Sequence, residues 1–385
     1  MNISNEKNIL KRLSDEITAS GYVGDTTIPC LVWLASHTRF TERPVSVVIF
    51  GPSGCGKSFA LKTALDLLPD DALKIFHGMS EKAIVYSNRD EFRNRHIVIQ
   101  EAAGMSGSKG SVYLRQLLTE GRLSYKTVDG IDGELAGREI EIEGPTGLFM
   151  TTTEDALHPE DASRVLCVNV KEDEDQIKAI LQATAEGKTF RLSEEAENRW
   201  KVFSDEVRLS DHDVVVPYAV EIASRLPSNL FRIQRDFTQV LNLIKTCALL
   251  HQSQRGMDKE GRVIATLADY ETVRGLVDKI LAQGMEASTP DNVRDVVKFV
   301  RDSLIGRDVR VGQAHVSLMD ISKGINRDRS AVSRSVNKAI ELGHLKDLNP
   351  GQGRESQIVV GGVKIANDKG ILPNLSIQCT GKRFA

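Results

Sequence analysis

The chain has 385 residues, of which 41% are hydrophobic and 27% are charged, and its net charge is −3. These values are typical of a globular protein with ~2–3 domains. No apolar run approaches the ~18 residues that a membrane-spanning helix requires, so we expect no membrane association. The five cysteines are scattered without a C-x-x-C pair, which argues against a zinc site or a disulfide framework. The polar, charged N-terminus does not resemble a signal peptide, and the sequence favours a cytoplasmic location.

Charge is distributed unevenly along the chain. From Pro290 to the C-terminus, sixteen Lys and Arg face ten Asp and Glu, a net charge of +6 that leaves −9 for the remainder. A basic segment on an acidic body is the pattern expected of a nucleic-acid-binding appendage, although a solvated surface can share it.

The first elements are two predicted helices, over Asn5–Ser20 and Ile28–Ser36, in which apolar residues recur at helical spacing. We assign residues 1–44 to helices that pack on the domain that follows.

The strand Val45–Phe50 leads directly into Gly51–Ser58, whose sequence GPSGCGKS fills every position of the G-x-x-x-x-G-K-[ST] pattern. The glycines let successive N–H groups point at phosphate oxygens, and the helix that follows adds its positive end. We expect Lys57 to reach the β- and γ-phosphates and the Ser58 hydroxyl to ligate Mg²⁺. The predicted nucleotide-binding residues are Gly51, Pro52, Ser53, Gly54, Cys55, Gly56, Lys57 and Ser58.

Strands and helices alternate through residues 45–171, which predicts a parallel sheet in an α/β core. The further core elements are strands at Leu73–Phe76, Ile97–Ile99, Gly147–Thr153 and Val165–Val170, and a helix at Val112–Thr119. Two alternating segments, Arg122–Val128 and Arg138–Glu143, interrupt this order and are joined by residues with turn chemistry, so they predict an inserted β-hairpin.

Residues 172–288 have a helical pattern throughout. The best segments are Glu174–Thr184, Glu194–Val207, Pro217–Arg225 and Phe231–Leu250.

Residues 289–385 are predicted to form a winged-helix domain and tail. The elements are helices at Asp291–Leu304, Ser317–Lys323 and Asn326–Leu342, then strands at His344–Leu348 and Ser356–Val360. The polar residues Arg327, Arg329, Ser330, Arg334 and Lys338 lie on the last helix. Phosphate contacts suit Arg327 and Arg334, and groove contacts suit Arg329 and Ser330 near the helix start. The alternative is a winged helix that binds protein.

Glu101 follows the strand Ile97–Ile99, at the carboxyl end where ligand-handling residues collect. We expect it to activate the attacking water. The preceding residue, where an acid would help to hold Mg²⁺, is Gln100, whose amide orients water but supplies no charge. Alternatively Glu101 serves the metal, so Gln100 and Glu101 are both candidate metal residues.

Three further positions are candidates for contact with the γ-phosphate. Thr151–Thr153 ends a core strand and offers hydroxyls. Arg164 precedes the last core strand, from which an arginine can stabilise transition-state charge on a neighbouring subunit's nucleotide. Arg235 opens a long helix. Each arginine could instead be an ordinary surface residue.

In this order, the features resemble the AAA+ ATPases. The most similar branch has a hairpin inserted before the sensor strand and includes the MCM replicative helicases. The chain is also similar to the helicase-like ATPase portion of prophage and plasmid primase proteins. The resemblance is carried by LLTEGRLSY at 117–125, EGPTGLFMTTT at 143–153 and RDFTQVLNLIKTCALLHQ at 235–252.

The resemblance implies a helical lid over 172–288 and a homo-oligomeric ring, expected to be a hexamer, with ATP and Mg²⁺ at the subunit interfaces. It gives Thr152 or Thr153 the sensor-1 role, Arg164 the arginine-finger role and Arg235 the sensor-2 role. The hairpin, with Lys126 and Arg138 on its two strands, is then expected to face a pore and contact DNA. Alternatively, the hairpin is a solvated element or packs between subunits.

Two departures from the family pattern bear on the rate of hydrolysis. Gln100 replaces an acid, and a threonine replaces the more usual sensor asparagine.

Two functions remain open at this point. The first is an ATP-dependent DNA translocase or helicase in the replication of a mobile element. The second is a nucleotide-switched DNA-binding loader, initiator or regulator that does not unwind DNA.

Overall fold

The computed structural model describes residues 2–78, 82–100, 109–131, 134–154, 157, 159–170, 174–227, 232–287, 291–304, 315–351, 354–362 and 370–375. The chain divides into two compact units. Unit 1 comprises Met1–Leu226, Gln234–Leu281 and Leu372–Ala385, and unit 2 comprises Pro227–Ile233 and Ala282–Ile371. Within the described residues, no helix is both long enough and apolar enough to cross a membrane.

The helices are numbered in chain order. They are α1 (Ile9–Ala19), α2 (Thr27–Ser36), α3 (Lys57–Leu65), α4 (Lys109–Glu120), α5 (Pro159–Ala162), α6 (Glu174–Ala185), α7 (Glu194–Arg208), α8 (Ala219–Arg225), α9 (Ile233–Leu250), α10 (Leu267–Ala287), α11 (Asp291–Leu304), α12 (Leu318–Gly324) and α13 (Arg329–Glu341). The strands are β1 (Val47–Phe50), β2 (Leu73–Phe76), β3 (Arg95–Ile99), β4 (Arg122–Ile131), β5 (Glu134–Glu143), β6 (Thr146–Thr152), β7 (Leu166–Asn169), β8 (Val214–Val215), β9 (Val263–Ile264), β10 (Leu345–Asp347) and β11 (Ile358–Val360).

The core of unit 1 is a five-stranded sheet in the order β2-β3-β6-β1-β7. All its neighbouring strands are parallel, which confirms the predicted α/β core. Because these strands run parallel, the carboxyl ends of β3, β6, β1 and β7 form one edge of the sheet. Phe50 at the end of β1 pairs with Thr152 of β6 on one side and with Asn169 of β7 on the other.

The N-terminal helices belong to the buried part of unit 1. Helix α1 begins at Ile9, later than predicted, because the Asn8 side chain accepts a hydrogen bond from the Lys11 N–H and caps it there. In α2 the Trp33 ring meets the ring of Trp200 of α7 edge to face, at 5.1 Å between centroids. The N-terminal helices therefore pack against the helical segment that follows the sheet.

A buried histidine determines the residue type on the neighbouring core strand. The His96 ring on β3 is fully buried and stacks on Phe149 at 4.3 Å. Burial lowers the pKa of His96 to about 3, so the ring is neutral. A side chain at Gly147 would place its Cβ 2.3 Å from the ring, because Gly147 lies directly beneath it. Glycine is therefore required at position 147 by packing.

The inserted hairpin is longer than predicted. β4 and β5 are antiparallel and remain paired out to Ile131 and Glu134, beyond the predicted ends at Val128 and Arg138. The ladder therefore runs through Asp129 and Gly130, which local turn chemistry had assigned to the connection.

The helical region after the sheet contains the predicted helices, with ends that shift by one or two residues. It also contains a short parallel pair, β8 with β9, which helical periodicity did not predict.

Unit 2 contains the predicted order of helices and strands. α13 begins at Arg329 rather than Asn326, since Asp328 caps it by accepting a hydrogen bond from the Ser330 N–H. β10 and β11 pair antiparallel, and Val316 bridges Ile358. At the last residue of α12, a Cβ on Gly324 would lie 2.0 Å from the Phe299 ring, so only glycine fits there.

The packing of His96 over Gly147 gives a stability prediction. The Gly147→Ala substitution is expected to lower the free energy of unfolding by about 1–3 kcal/mol, because the methyl group displaces a buried ring. Gly275→Ala is the matched control, since Gly275 lies in α10 with no described residue within 4 Å of its Cβ position, and alanine favours helix by ~1 kcal/mol. Urea denaturation measures both. Equal effects of the two substitutions would contradict the packing argument.

Candidate nucleotide-binding site

The loop between β1 and α3 has the conformation that its glycines allow. Gly54 and Gly56 have φ values of 84° and 86°, in the left-handed region that favours glycine. A Cβ on Gly51 would lie 2.8 Å from the Cys55 Sγ, so the loop closes tightly on itself. Gly56 is the N-cap of α3 and provides no side-chain cap. The first N–H groups of α3 are therefore available to an anion.

The Lys57 side chain lies back along this loop. It is 7% exposed, and its Nζ donates hydrogen bonds to the carbonyl oxygens of Gly51 at 2.7 Å and Pro52 at 2.6 Å. The Ser58 side chain is exposed at the start of α3. This donor set suits a phosphate group: a positive charge, free helix N–H groups and a hydroxyl that could ligate Mg²⁺.

The neighbouring strand ends bring predicted site residues to the same edge. Thr152 is 3% exposed and accepts a hydrogen bond from the Glu154 N–H at 3.1 Å. Thr153 is exposed. Gln100 follows β3, and its N–H donates to the Phe76 carbonyl at 3.5 Å. Glu101, the predicted hydrolytic glutamate, lies outside the described residues.

Arg164 and Arg235 lie close together. Arg235 donates a hydrogen bond to the Ser163 hydroxyl, immediately before Arg164. Arg164 donates to the Thr119 hydroxyl at 3.4 Å, and its buried Nε has no hydrogen-bond partner within the described part of the chain. Burial lowers the pKa of Arg164, and the charges of Arg235 and Arg115 lower it further. Neither Arg164 nor Arg235 forms a salt bridge with a carboxylate among the described residues, so the pair can receive an anion.

A third arginine nearby is neutralised. Arg115 of α4 pairs with Asp161 at 2.7 Å and with Glu160, both on α5. These hydrogen bonds raise the pKa of Arg115. The unpaired positive charge of this cluster therefore belongs to the other two arginines.

The arginine pair does not lie at the loop of its own chain. Leu166 pairs with Val47 at the amino end of β1, whereas the Val170 N–H donates to the Phe50 carbonyl, just before the loop. Leu166 and Val170 are four residues apart, which is ~13 Å along the strand at ~3.3 Å per residue. Arg164 precedes Leu166, so it lies at the opposite edge of the sheet from Gly51–Ser58. Arg235 is beside it there.

An aromatic cluster next to the loop was not predicted. The Phe59 ring, directly after Ser58, stacks on Tyr22 at 5.4 Å and meets Phe190 edge to face at 5.3 Å. A cavity of about 860 Å³ adjoins it, lined by Phe59, Lys62, Thr63, Asp66, Phe190, Arg191, Leu192, Ser193, Glu194 and Glu197. In the sequence, only the position of Phe59 directly after the loop could have indicated an aromatic residue at the site. Tyr22 and Phe190 are distant in the chain, and the fold brings them to Phe59.

The hairpin places its two predicted DNA contacts on different faces. Lys126 is opposite Glu139, and Arg138 is opposite Thr127. Because side chains alternate along a strand, Lys126 and Arg138 point to opposite sides of the ribbon. The side with Lys126 also holds Glu141, which pairs with Arg89 at 3.3 Å. DNA contact by Lys126 and Arg138 stays a prediction.

In unit 2 the predicted DNA contacts differ in their surroundings. Arg327 donates to Asp295 of α11 at 2.9 Å, and Lys338 pairs with Glu341 at 3.0 Å. The Ser330 hydroxyl donates to Asp328 at 2.6 Å. Arg329 and Arg334 are exposed and form no ion pair in the described part of the chain. These two have the best access to a phosphate backbone.

One buried group has the composition of a metal site but not its hydrogen bonding. Potential ligand atoms of Cys247, His251 and Asp269 lie within 4.8 Å of one another. Arg255 donates to both Asp269 oxygens, at 3.0 and 2.6 Å, and the Nδ1 of His251 lies 2.8 Å from the Cys247 carbonyl oxygen. These polar groups are satisfied within the protein, so the cluster is structural.

Comparison of the sequence with models of known protein families identifies one match. The model described as the MTBMA_p00010 P-loop domain matches residues 1–203, which is more than half of the chain. The chain belongs to this family. No curated protein matches the sequence of this chain. The matched range begins before α1 and ends in α7, so the P-loop domain of this family includes the N-terminal helices and the aromatic cluster as well as the sheet. Membership supports nucleotide binding, typically with Mg²⁺, and NTP hydrolysis as the general activity.

The role of Lys57 leads to a binding prediction. Lys57→Ala is expected to weaken the binding of a fluorescent ATP analogue about 10–100-fold, because a charge-assisted contact with phosphate is lost. Lys11→Ala is the control, since Lys11 lies on α1, is 69% exposed and pairs with Asp15. Fluorescence titration with Mg²⁺ measures both. Equal affinities of the Lys57 variant and the unmodified protein would contradict the assignment.

Proposed function

We propose that the chain is an AAA+ ATPase that hydrolyses ATP at sites shared between copies and uses the reaction to move along or unwind DNA. The observation that carries the shared site is the position of Arg164 and Arg235. Both are without a carboxylate partner among the described residues, and they lie at the edge of the sheet opposite their own Gly51–Ser58 loop. An arginine pair in that position suits the nucleotide of a neighbouring copy.

The roles of the chain's own residues follow from this arrangement. The N–H groups of the loop and Lys57 hold the phosphates, and the Ser58 hydroxyl holds Mg²⁺. Bound Mg²⁺ offsets the negative charge that develops on the transferred phosphoryl group. Glu101 orients the attacking water, and Thr152 or Thr153 fixes its position. Arg164 and Arg235 of the next copy supply positive charge as the bond to the γ-phosphate breaks.

The aromatic cluster supports a nucleotide with a base that stacks. Tyr22, Phe59 and Phe190 are adjacent to the start of α3, and an extended apolar surface next to phosphate donors is what a nucleobase contacts. Phe59 is 46% exposed, so its ring has surface left for a ligand. We place the base at this cluster.

Contact with DNA is supported by unit 2. Its helix-turn-helix order, its paired strands and the exposed Arg329 and Arg334 are consistent with a winged helix on DNA. The net charge of +6 from Pro290 onwards also favours a polyanionic partner.

A second candidate function is a nucleotide-switched DNA-binding protein that does not unwind. Two observations favour it. Gln100 supplies no charge to a metal, and Lys126 and Arg138 lie on opposite faces of the hairpin rather than on one DNA-tracking face.

Mixing of two inactive variants tests the shared site. Lys57→Ala and Arg164→Ala are each expected to abolish ATP hydrolysis. An equal mixture is expected to recover about one quarter of the normal rate, since that fraction of interfaces pairs an intact loop with an intact arginine. Arg235→Ala should behave like Arg164→Ala. Arg43→Ala, an exposed arginine distant in sequence, is the control. Mixtures that co-assemble without recovery would contradict a shared site.

A strand-displacement assay separates the two functions. With forked DNA, ATP and Mg²⁺, the unmodified protein is expected to release the labelled strand, and Lys57→Ala is expected to release none. ATPase activity that DNA stimulates without strand release would favour the nucleotide-switched protein over the helicase. The ATPase rate, measured in the same samples, is the common reference.

A further inference from the structure

A short segment near the end of the described chain is held by side chains of two helices. Leu372–Leu375, with the sequence Leu-Pro-Asn-Leu, belongs to unit 1, although the 90 residues before it, from Ala282 to Ile371, belong to unit 2. The chain therefore leaves unit 1 along α10 and returns to it at Leu372. A returning segment of this kind is ordered only if specific contacts hold it.

The contacts with the backbone of this segment are made by side chains. The Leu372 N–H donates to an Asp278 carboxylate oxygen at 2.7 Å, and the Leu372 carbonyl accepts from Arg274 at 3.2 Å. The Pro373 carbonyl accepts from the Tyr270 hydroxyl at 2.5 Å. The Asn374 carbonyl accepts from Arg225 of α8 at 3.2 Å.

The same segment has two apolar anchors. Leu372 is 5% exposed and Leu375 is 1% exposed. Consecutive backbone groups bonded to side chains, with buried leucines on both sides of a proline, form the contact pattern of a peptide held in a groove. Tyr270 is itself fully buried, so the groove wall is part of the core of unit 1.

We propose that the surface formed by Tyr270, Arg274 and Asp278 of α10 and Arg225 of α8 is a peptide-docking groove. Its ligand is the chain's own Leu372–Leu375, which holds the point where the chain returns to unit 1 after residues 282–371.

Docking has a consequence for unit 2 itself. Holding the two ends of a 90-residue segment near one helix lowers the conformational entropy of its unfolded form. Loss of docking is therefore expected to destabilise unit 2, although none of its residues has changed. The proposal does not depend on the nucleotide chemistry above.

Hydrogen–deuterium exchange of the full chain, read at single amides, tests the proposal. In the unmodified protein, the Leu372 amide is expected to exchange at least ~30-fold more slowly than in an unstructured peptide. Tyr270→Phe keeps the ring and removes only the hydroxyl, and it is expected to accelerate this exchange about 5-fold. Asp278→Asn removes the charged acceptor and is expected to accelerate it about 10-fold or more. Tyr86→Phe, at a tyrosine that is 56% exposed, is the matched control and should change nothing.

In the same experiment, the exchange rates of the Val336 and Ala339 amides on α13 report the stability of unit 2. Tyr270→Phe and Asp278→Asn are expected to accelerate their exchange several-fold. An unprotected Leu372 amide would overturn the docking groove, and unchanged α13 amides would overturn its effect on unit 2. Protection is expected to be independent of protein concentration. Protection that is lost on dilution would show that the segment comes from another copy and would overturn docking within one chain.

Discussion

The parallel arrangement of the five core strands determines where the chemistry of this protein can take place. Parallel strands collect their carboxyl ends at one edge, and that edge holds the loop, Thr152 and Gln100. The same arrangement assigns the residue before any strand to the other edge. Arg164 precedes β7 and so cannot share an edge with the loop of its own chain. The separation of Lys57 from Arg164 is thus a property of the topology and not of a particular loop conformation.

The sequence was sufficient for features that depend on local pattern. The loop is identified by eight consecutive residues, and the core strands by short apolar runs between turn residues. Capping residues, Asn8 and Asp328, determined where α1 and α13 begin, and amphipathic spacing alone placed both starts too early. Turn chemistry placed the hairpin but ended its strands too soon, because cross-strand pairing continues wherever the partner residues allow it.

Contacts between residues that are far apart in the chain could not be predicted from the sequence. Arg235 was predicted as a nucleotide contact, but nothing in its local sequence showed that it would lie beside Ser163 and Arg164. The stacking of Tyr22 on Phe59 joins residues 37 positions apart, and Phe190 is further still. Alternation predicts that Lys126 and Arg138 are strand residues, but only the register of the two strands shows that they point in opposite directions.

The hydrogen bonds of Lys57 have a consequence for the turnover of ligands. Its ammonium group already donates hydrogen bonds to the carbonyl oxygens of Gly51 and Pro52. These two carbonyls take the place that phosphate oxygens would occupy in the nucleotide complex. An arriving phosphate must compete with those carbonyls, which reduces the net gain on binding. The departing product leaves behind a loop whose lysine has other acceptors within reach. When the product leaves, the Lys57 ammonium group therefore keeps hydrogen-bond acceptors and is not left buried without a partner. The loop can then keep its conformation until the next nucleotide binds.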